Sequence, residues 1–233
     1  MRRYCLGQYR RGWQRASVIE AGVLMHMPRS VAFAKRSIDI AVALIGLALS
    51  APLWPLIALA IKLDSPGPVL FSQLRVGRAC PDRTELFKML KFRSMRVDAE
   101  ARSGAVWATK NDPRITRAGL VLRKTRLDEI PQLLNVLMGD MSIVGPRPER
   151  PGFYGKLEQA IPFFADRTVG LRPGITGLAQ VNQGYDSSLD DVRRKVMFDH
   201  AYAMRLVDPW SWLRSDLGIM ARTVTVMATG RGQ

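Results

Sequence analysis

The run Leu127-Asp128-Glu129-Ile130-Pro131-Gln132-Leu133-Leu134-Asn135-Val136-Leu137 decides much of how this chain folds. Four of its apolar side chains recur at three- and four-residue steps, the spacing of one buried helical face: Leu127, Ile130, Leu134 and Leu137. Proline suits the first turn of a helix, so Pro131 predicts that a helix begins there. Because the residue before a proline disfavours the helical conformation, we expect Asp128 and Glu129 on the approach to this helix.

The acidic pair at this helix start has two possible uses. Acids collect at helix N-termini because the macrodipole favours them, so Asp128 and Glu129 can be purely structural. The same dipole keeps a carboxylate ionised and attracts phosphate, which suits a nucleophile or a metal ligand. Position alone leaves both interpretations open.

Composition narrows the class of protein. A chain of 233 residues is long enough for one good-sized domain and a small appendage. Its net charge of +15 implies an anionic partner, which could be nucleic acid, an anionic membrane surface or a phosphorylated substrate. The charge does not separate these three.

Cysteine and histidine are sparse. Cys5 and Cys80 belong to no metal or CxxC pattern, so we expect free thiols in a reducing compartment. His26 and His200 are isolated, which disfavours a histidine-based zinc site or catalytic triad. A chemistry based on carboxylates fits better.

The N-terminal third suggests contact with a membrane. Residues 1–34 hold six arginines against the single acid Glu20, which predicts a mobile basic arm that lies on anionic headgroups. From Ile40 to Ile61 no residue is charged, and a straight helix of this length would reach the ~30 Å of a bilayer core. Pro52 and Pro55 instead predict a bend near Ser50-Ala51-Pro52.

Basic residues flank this apolar run on both sides, with Lys35 and Arg36 before it and Lys62 after it. They give no clear asymmetry between the two faces of a membrane. A re-entrant hairpin with both ends on the cytoplasmic side satisfies the prolines and the charges together. A spanning helix remains the alternative.

Two further regions are predicted to bring basic side chains toward the acids. Val69–Val76 and Leu86–Phe92 read as a β-hairpin, which would place three cations at the rim of a polar site: Lys88, Lys91 and Arg93. The alternative is that two of the three are merely solvated. Residues 115–126 read as a basic helix that carries Arg117, Arg123, Lys124 and Arg126, and these serve either phosphate binding or a solvated face.

The segment Gly145-Pro146-Arg147-Pro148-Glu149 predicts a stiff loop, because two prolines fix the backbone on either side of Arg147. A rigid arginine suits a phosphate or nucleotide clamp, and a structural turn is the alternative. Residues 192–206 read as a basic amphipathic helix. A second helix follows, whose apolar residues suit the core or a membrane interface: Trp210, Trp212, Leu213, Leu217 and Met220.

The sequence from Arg123-Lys124-Thr125-Arg126-Leu127-Asp128-Glu129 through Arg147-Pro148 resembles the central signature of the bacterial sugar transferases, the monotopic phosphoglycosyl transferases. Three other blocks look similar to the same family: Lys35-Arg36-Ser37-Ile38-Asp39, the run from Phe87 to Met95, and the run from Arg172 to Asn182. The resemblance covers nearly everything from Lys35 to the C-terminus.

The resemblance implies a mostly helical α+β fold. A re-entrant membrane helix-break-helix hairpin at 35–63 would follow the basic arm at 1–34. A small cytoplasmic catalytic domain at 64–233, with a short β-hairpin and interfacial amphipathic helices, would complete it. The hairpin residues are Lys35, Arg36, Asp39, Ser50 and Pro52. The family breaks its helix at a Ser-Pro pair, whereas here Ala51 precedes Pro52 and we expect Ser50 to substitute.

The resemblance also implies an activity. Such enzymes transfer a phosphosugar from a UDP-sugar to polyprenol (undecaprenyl) phosphate at the cytoplasmic face of the bacterial inner membrane, and UMP is released. This is the initiating step of a surface glycan: exopolysaccharide, capsule or O-antigen. Asp128 would attack the sugar-bearing phosphate and form a covalent aspartyl-phosphosugar intermediate.

The same resemblance assigns supporting residues. A Mg²⁺ ion is expected near Asp128, with Glu129 binding the metal or positioning the nucleophile. Arg147 would hold the donor. The other expected phosphate contacts are Lys88, Lys91, Arg93 and Arg123, and Asp199 falls where the family carries a further acid.

A non-catalytic basic protein, bound to a membrane surface or to nucleic acid, is the competing interpretation of the charge. Aromatic residues are not interleaved with the basic ones, and no nucleic-acid-binding motif is present. We therefore expect the donor, the acceptor and anionic phospholipid as partners, and no nucleic acid.

Overall fold

The computed structural model describes residues 4–5, 27–80, 83–100, 112–183 and 188–229, and this part of the chain is mostly helical with two small sheets. Two 3₁₀ turns, Leu127–Glu129 and Ala165–Thr168, join longer elements. The elements in chain order are β1 (Tyr4–Cys5), α1 (Arg29–Ser50), α2 (Leu53–Asp64), β2 (Leu70–Ala79), β3 (Thr84–Phe92), α3 (Arg117–Lys124), α4 (Gln132–Met138), β4 (Ser142–Val144), α5 (Pro151–Ala160), β5 (Gly174–Thr176), α6 (Leu178–Asn182), α7 (Leu189–Arg205) and α8 (Pro209–Thr229). The predicted mostly helical α+β class is confirmed.

The predicted hairpin is the antiparallel pair β2–β3, with Leu70 opposite Phe92 and Val76 opposite Leu86. The short strand β1 pairs with the other side of β3, which gives a three-stranded antiparallel sheet of order β1-β3-β2. Strand β1 lies inside the segment 1–34 that was predicted as a mobile arm. Of the rest of that segment, only residues 27–34 belong to the described part of the chain, so the prediction of a mobile arm stays a prediction.

A second sheet, which the sequence did not predict, consists of the parallel strands β4 and β5. Ser142 lies opposite Gly174 and Val144 opposite Thr176. A Cβ atom at Gly174 would lie 2.1 Å from the backbone nitrogen of Gly145, so only glycine permits this close approach. The sheet fixes the start of the loop that carries Arg147.

The largest apolar core lies between α1, α4, α7 and α8 and against β3 and β4. From α8, Trp212 is buried in this core and Leu213 and Met220 pack against it. Trp210 and Leu217 are instead 69% and 53% exposed. The C-terminal helix thus contributes most of its predicted apolar residues to the core and leaves two of them outside.

Helix α1 is docked on the body by a stripe with four-residue spacing: Val31, Lys35, Asp39 and Ala43 are all buried. The Lys35 Nζ lies 2.7 Å from the Asp216 Oδ2 of α8. The Asp39 Oδ1 accepts hydrogen bonds from the Ser142 Oγ and the Ile143 N–H, both at 2.9 Å. Because α1 begins at Arg29, the predicted boundary at residue 35 falls inside a continuous helix.

The predicted bend is confirmed, because α1 ends at Ser50 and α2 begins at Leu53 with an angle of 64° between them. The Ser50 Oγ donates to the Leu47 carbonyl oxygen at 3.3 Å, which satisfies a group left at the end of α1. Among the described helices, none has the length and apolarity to cross a membrane alone, and the bent pair α1–α2 meets these two criteria only when its helices are taken together. The pair exposes many large apolar side chains, among them Leu44, Leu49, Leu56, Leu59 and Leu63.

Candidate active site

The two acids lie in the 3₁₀ turn Leu127–Glu129, between α3 and α4, as the sequence predicted for the approach to a helix. Arg126 enters this turn in the left-handed conformation, with φ 59°. Ile130 is helical, with φ −50° and ψ −42°, although Pro131 follows it. The expectation that the proline would keep Ile130 out of the helical region is therefore wrong, and the turn leads straight into α4.

The buried face of α4 also differs from the predicted one. Gln132, Asn135 and Val136 are buried, whereas the leucines of the predicted stripe are only partly buried. The Asn135 side chain explains the difference, because its Oδ1 accepts from the Leu90 N–H at 2.9 Å and its Nδ2 donates to the Lys88 carbonyl at 2.8 Å. This amide attaches α4 to β3 and brings the acids beside that strand.

Glu129 is a buried carboxylate surrounded by cations. Its Oε1 lies 2.8 Å from the Lys91 Nζ, 3.3 Å from the Arg147 Nη2 and 3.8 Å from the Arg126 Nη1. Burial alone would raise the pKa of Glu129, but Lys91, Arg147 and Arg126 outweigh burial and hold this pKa well below its usual value. Glu129 therefore stays ionised and anchors cations from three separate segments.

Asp128 is equally buried but chemically different. Among the described residues, no N–H or O–H group donates a hydrogen bond to its carboxylate and no cation forms an ion pair with it. Burial raises the pKa of Asp128 above its usual value, and the charges of Lys91, Arg123 and Arg126 offset this only in part. Two adjacent carboxyls thus have pKa values pushed in opposite directions, a pattern typical of catalytic pairs.

Both acids line a cavity of about 440 Å³, a size typical of small-molecule sites. Of the described residues that line it, ten are basic and only four are acidic, so the cavity favours anions. The basic ones are Arg75, Lys91, Arg93, Arg96, Arg114, Arg123, Arg126, Arg147, Arg150 and Lys195. The acidic ones are Glu100, Asp128, Glu129 and Glu149.

Three of the four expected phosphate contacts line the cavity, and the fourth does not. Lys91 and Arg123 line the cavity with Asp128. Arg93 lines it too, but its Nη1 and Nη2 donate to the Pro66 and Ser65 carbonyls at 2.7 and 2.8 Å, so its guanidinium is already engaged. Lys88 is exposed and does not line the cavity, because it lies on the opposite face of β3 from Lys91. The expectation that Lys88 shares the rim is therefore corrected.

The loop that carries Arg147 is held from several sides in addition to its prolines. The Arg75 Nη1 donates to the Pro148 carbonyl at 3.1 Å, and the Val76 N–H donates to the Glu149 carbonyl at 2.8 Å. These bonds come from β2, so the sheet fixes the backbone on the C-terminal side of Arg147. The guanidinium is consequently presented to the cavity from a rigid support.

Asp199 lies outside the cavity, where it is fully buried in α7. Its Oδ2 accepts from the Arg167 Nη1 at 2.7 Å, and the Arg167 Nη2 donates to the Arg147 carbonyl at 3.4 Å. Burial raises the pKa of Asp199, and the charge of Arg167 counteracts it. The geometry therefore connects Asp199 to the site through Arg167 and gives it no direct contact with the cavity.

Several cavity residues were not identified from the sequence. Gln73 and Arg75 lie two and four positions after Phe71, on the face of β2 that meets the cavity. Strand alternation is the signal that could have found them. Lys195 reaches the cavity from the distant helix α7 and lies 3.5 Å from the Glu149 Oε2, for which the sequence offers no local signal.

Comparison with known proteins places this site in a family. The profile of the bacterial sugar transferase family matches residues 30–230. A UDP-N-acetylgalactosamine-undecaprenyl-phosphate N-acetylgalactosaminephosphotransferase of Aeromonas hydrophila is 45% identical over 86% of this chain and 45% of its own length. A UDP-glucose:undecaprenyl-phosphate glucose-1-phosphate transferase of Caulobacter vibrioides is 42% identical over 87% of this chain and 73% of its own.

An exopolysaccharide production protein of Rhizobium leguminosarum is also similar, with 51% identity over 63% of this chain and 72% of its own length. The chain spans less than half the length of the Aeromonas relative and about three quarters of the Caulobacter one. The match to the family profile nevertheless includes both acids, the cationic cavity wall and the bent helix pair. This chain therefore belongs to the bacterial sugar transferase family.

Proposed function

We propose that this chain transfers a phosphosugar from a UDP-sugar to a polyprenol phosphate, such as undecaprenyl phosphate, and releases UMP. The observation that carries the proposal is the Asp128 carboxylate, which faces a cationic cavity and has no hydrogen-bonding partner among the described residues. A purely structural acid at this depth would have a partner, because an unpaired buried carboxylate destabilises the fold. The undecaprenyl phosphate and UDP-sugars in the names of the relatives support the same substrates.

The proposed reaction has two balanced steps. An Asp128 Oδ atom attacks the sugar-bearing β-phosphorus of the UDP-sugar, the bond from that phosphorus to the bridging oxygen breaks, and UMP leaves with the electron pair. A phosphate oxygen of the acceptor then attacks the same phosphorus and releases the Asp128 carboxylate. The products are a polyprenyl diphosphosugar and UMP, and the intermediate is an acyl phosphate.

The cations of the cavity supply what phosphoryl transfer needs most, which is fixed positive charge near the transferred group. Arg147 and Lys91 are held in place by Glu129 at 3.3 and 2.8 Å, so their positions precede substrate binding. Among the described residues no acceptor bonds the Arg123 guanidinium, which leaves it available for phosphate. We assign Arg147 to the donor diphosphate, and Lys91 and Arg123 to the charge that develops during transfer.

The donor set fits a Mg²⁺ ion that is held mainly by substrate phosphates. The described residues contain no group of three His, Cys, Asp or Glu side chains suited to a metal. Magnesium commonly takes one or two carboxylates and completes its shell with phosphates and water, and Asp128 offers such a carboxylate. When bound, the ion would neutralise diphosphate charge. The three ion pairs of Glu129 favour a positioning role for that residue over metal ligation.

We also propose that α1 and α2 form a re-entrant membrane hairpin at the cytoplasmic face of the bacterial inner membrane. The 64° bend, the exposed leucines of both legs and the basic residues at both ends support this placement. Cysteines introduced near Arg29 and after Lys62, in a background with Cys5 and Cys80 replaced, should both react only from the cytoplasmic side. Labelling of either from the periplasm would overturn the hairpin.

The experiment that tests the reaction is UMP release from vesicles that contain undecaprenyl phosphate, Mg²⁺ and a panel of UDP-sugars. Intact-protein mass spectrometry without acceptor should reveal the mass of one phosphosugar on the wild type and none on Asp128→Asn. A full-rate enzyme with no adduct, whose kinetics require both substrates bound at once, would refute the covalent route. No UMP release with any donor would instead favour a non-catalytic membrane protein. We also propose that the product is the lipid-linked precursor of a surface glycan, such as an exopolysaccharide.

A further inference from the structure

We infer that the cavity has a separate subsite for the prenyl chain of the acceptor, and this inference rests on the proposed function. The subsite is an apolar lip that consists of Pro68, Phe71, Met95 and Val97, all of which line the cavity. Phe71 is 44% exposed and Val97 is 67% exposed, although both line a cavity that also contains ten basic residues. Apolar side chains that together line a ligand cavity and remain exposed are typical of a binding groove.

The lip lies where the chain leaves the bent helix pair. Helix α2 ends at Asp64, and Arg93 holds the Ser65 and Pro66 carbonyls that follow. A Cβ atom at Gly67 would lie 2.6 Å from a Val97 methyl carbon, so Val97 packs directly on this segment. In sequence, the lip thus follows closely on Leu59 and Leu63, which are exposed near the end of α2.

The lip also adjoins the reactive carboxylate. Phe71 of β2 lies directly opposite Lys91 of β3, and opposed residues of an antiparallel pair have neighbouring side chains on one face. The Lys91 Nζ in turn contacts Glu129, the neighbour of Asp128 in sequence. Along the chain from α2 and then across the sheet, the apolar helix, the apolar lip and the cationic wall of the cavity therefore follow one another.

This order of surfaces matches the acceptor and not the donor. A polyprenol phosphate has an anionic head joined directly to a long apolar chain, whereas a UDP-sugar is polar along its whole length. With its phosphate against Lys91 and Arg123, the first isoprene units of the acceptor would cover the Phe71 ring. The lip would thereby guide the lipid out of the bilayer and set the position of its phosphate.

The test compares two substitutions on the same strand in the full chain, reconstituted in vesicles with undecaprenyl phosphate. Phe71→Ala should raise the KM for the acceptor on the order of tenfold, because it removes a ring that the lipid would bury. The KM for the UDP-sugar should change less than twofold, and Phe71→Leu should restore most of the acceptor affinity. Leu74→Ala is the matched control, because Leu74 is 38% exposed on the other face of β2 and should leave both KM values within twofold.

A second measurement does not depend on turnover. A short prenyl phosphate with a photoreactive group in its first isoprene unit should label peptides that contain residues 68–71 or 95–97 of the wild type. Labelling confined to α1 and α2 would overturn the lip, as would an acceptor KM unchanged in Phe71→Ala or equal rises in both KM values. An active wild type with any of these results refutes the lip alone. A wild type that releases no UMP refutes the proposed function, and the lip with it.

Discussion

Replacing Lys91 with methionine should show how the two acids depend on one cation. The Lys91 Nζ is the nearest positive charge to Glu129, at 2.8 Å, and the side chains of the pair are only 17% and 9% exposed. Removing one partner of a buried pair costs about 3–5 kcal/mol. Because Arg147 and Arg126 remain at 3.3 and 3.8 Å, we expect the low end, about 3 kcal/mol. That corresponds to a Tm lower by roughly 6–12 °C for a chain of this size.

The same substitution should change the pH dependence of the reaction. Burial raises the pKa of Asp128, and Lys91 is the strongest influence that lowers it again. Asp128 must be ionised to attack, so the rate falls as the pH drops through its pKa. Loss of Lys91 raises that pKa further, which moves the acid limb of kcat/KM to higher pH. Loss of a fixed charge beside the transferred phosphate should also lower kcat/KM on the order of a hundredfold.

Thermal unfolding in detergent and the pH profile of UMP release from vesicles measure these two effects. Lys88→Met is the control, since Lys88 is exposed on the other face of the same strand and should change the stability by less than about 0.5 kcal/mol. A Lys91→Met variant with the Tm and acid limb of the wild type would refute the argument. Such a result would mean that the Lys91 ammonium contributes no more to stability or to the pKa of Asp128 than the exposed Lys88 ammonium does.

Three further substitutions test other parts of the structure. Asp128→Asn should raise the Tm at pH 8. Burial raises the pKa of Asp128 in the folded state, so the ionised carboxylate destabilises the fold at any pH above that pKa, and the asparagine removes this cost. The gain in Tm should shrink as the pH falls toward about 4, where the carboxyl becomes protonated in the unfolded state as well. Arg147→Lys should lower UMP release by at least about tenfold, because the ammonium keeps the charge but loses the planar fork that can bond Glu129 and phosphate together. Lys35→Met should destabilise the chain by about 3–5 kcal/mol in thermal unfolding, because it leaves Asp216 buried without its cation.

Each of these has a contrary result. A lower Tm of Asp128→Asn at pH 8 would mean that the carboxylate has a stabilising partner. Unchanged kinetics of Arg147→Lys would remove that residue from the site. For Lys35→Met, adding Asp216→Asn should recover part of the lost stability, and a further loss would show that the pair is not the source of the effect.

The sequence predicted what depends on local rules. The bend at Ser50-Ala51-Pro52 follows from the missing N–H and the steric clash of proline, and the acids precede a helix because Pro131 marks its start. Strand alternation is a local rule of the same kind, but it was not applied to Lys88, which was predicted at the rim with Lys91 and lies on the other face of β3. These features need only a few neighbouring residues.

What the sequence did not predict depends on contacts between distant segments. The buried face of α4 is decided by Asn135, whose amide bonds β3 some 45 residues earlier in the chain. Asp199 falls where the family carries a further acid, and its carboxylate forms a buried ion pair with Arg167, which lies in a different element. The small parallel sheet needs the close approach of Gly145 and Gly174. None of these pairings leaves a periodic signal in the chain.

The attachment of α4 has a consequence for the reach of the enzyme. At the C-terminal end of α4, the Arg36 guanidinium of α1 donates to the Val136 and Leu137 carbonyls at 2.6 and 2.9 Å. At the other end lies the turn with Asp128, and the seven residues between span about 10 Å. The helix therefore acts as a spacer of constant length, which keeps the Asp128 carboxylate at a fixed distance from α1. With the acceptor proposed above, this fixed distance would favour a lipid whose phosphate is joined directly to its apolar chain over one whose phosphate stands on a longer stem.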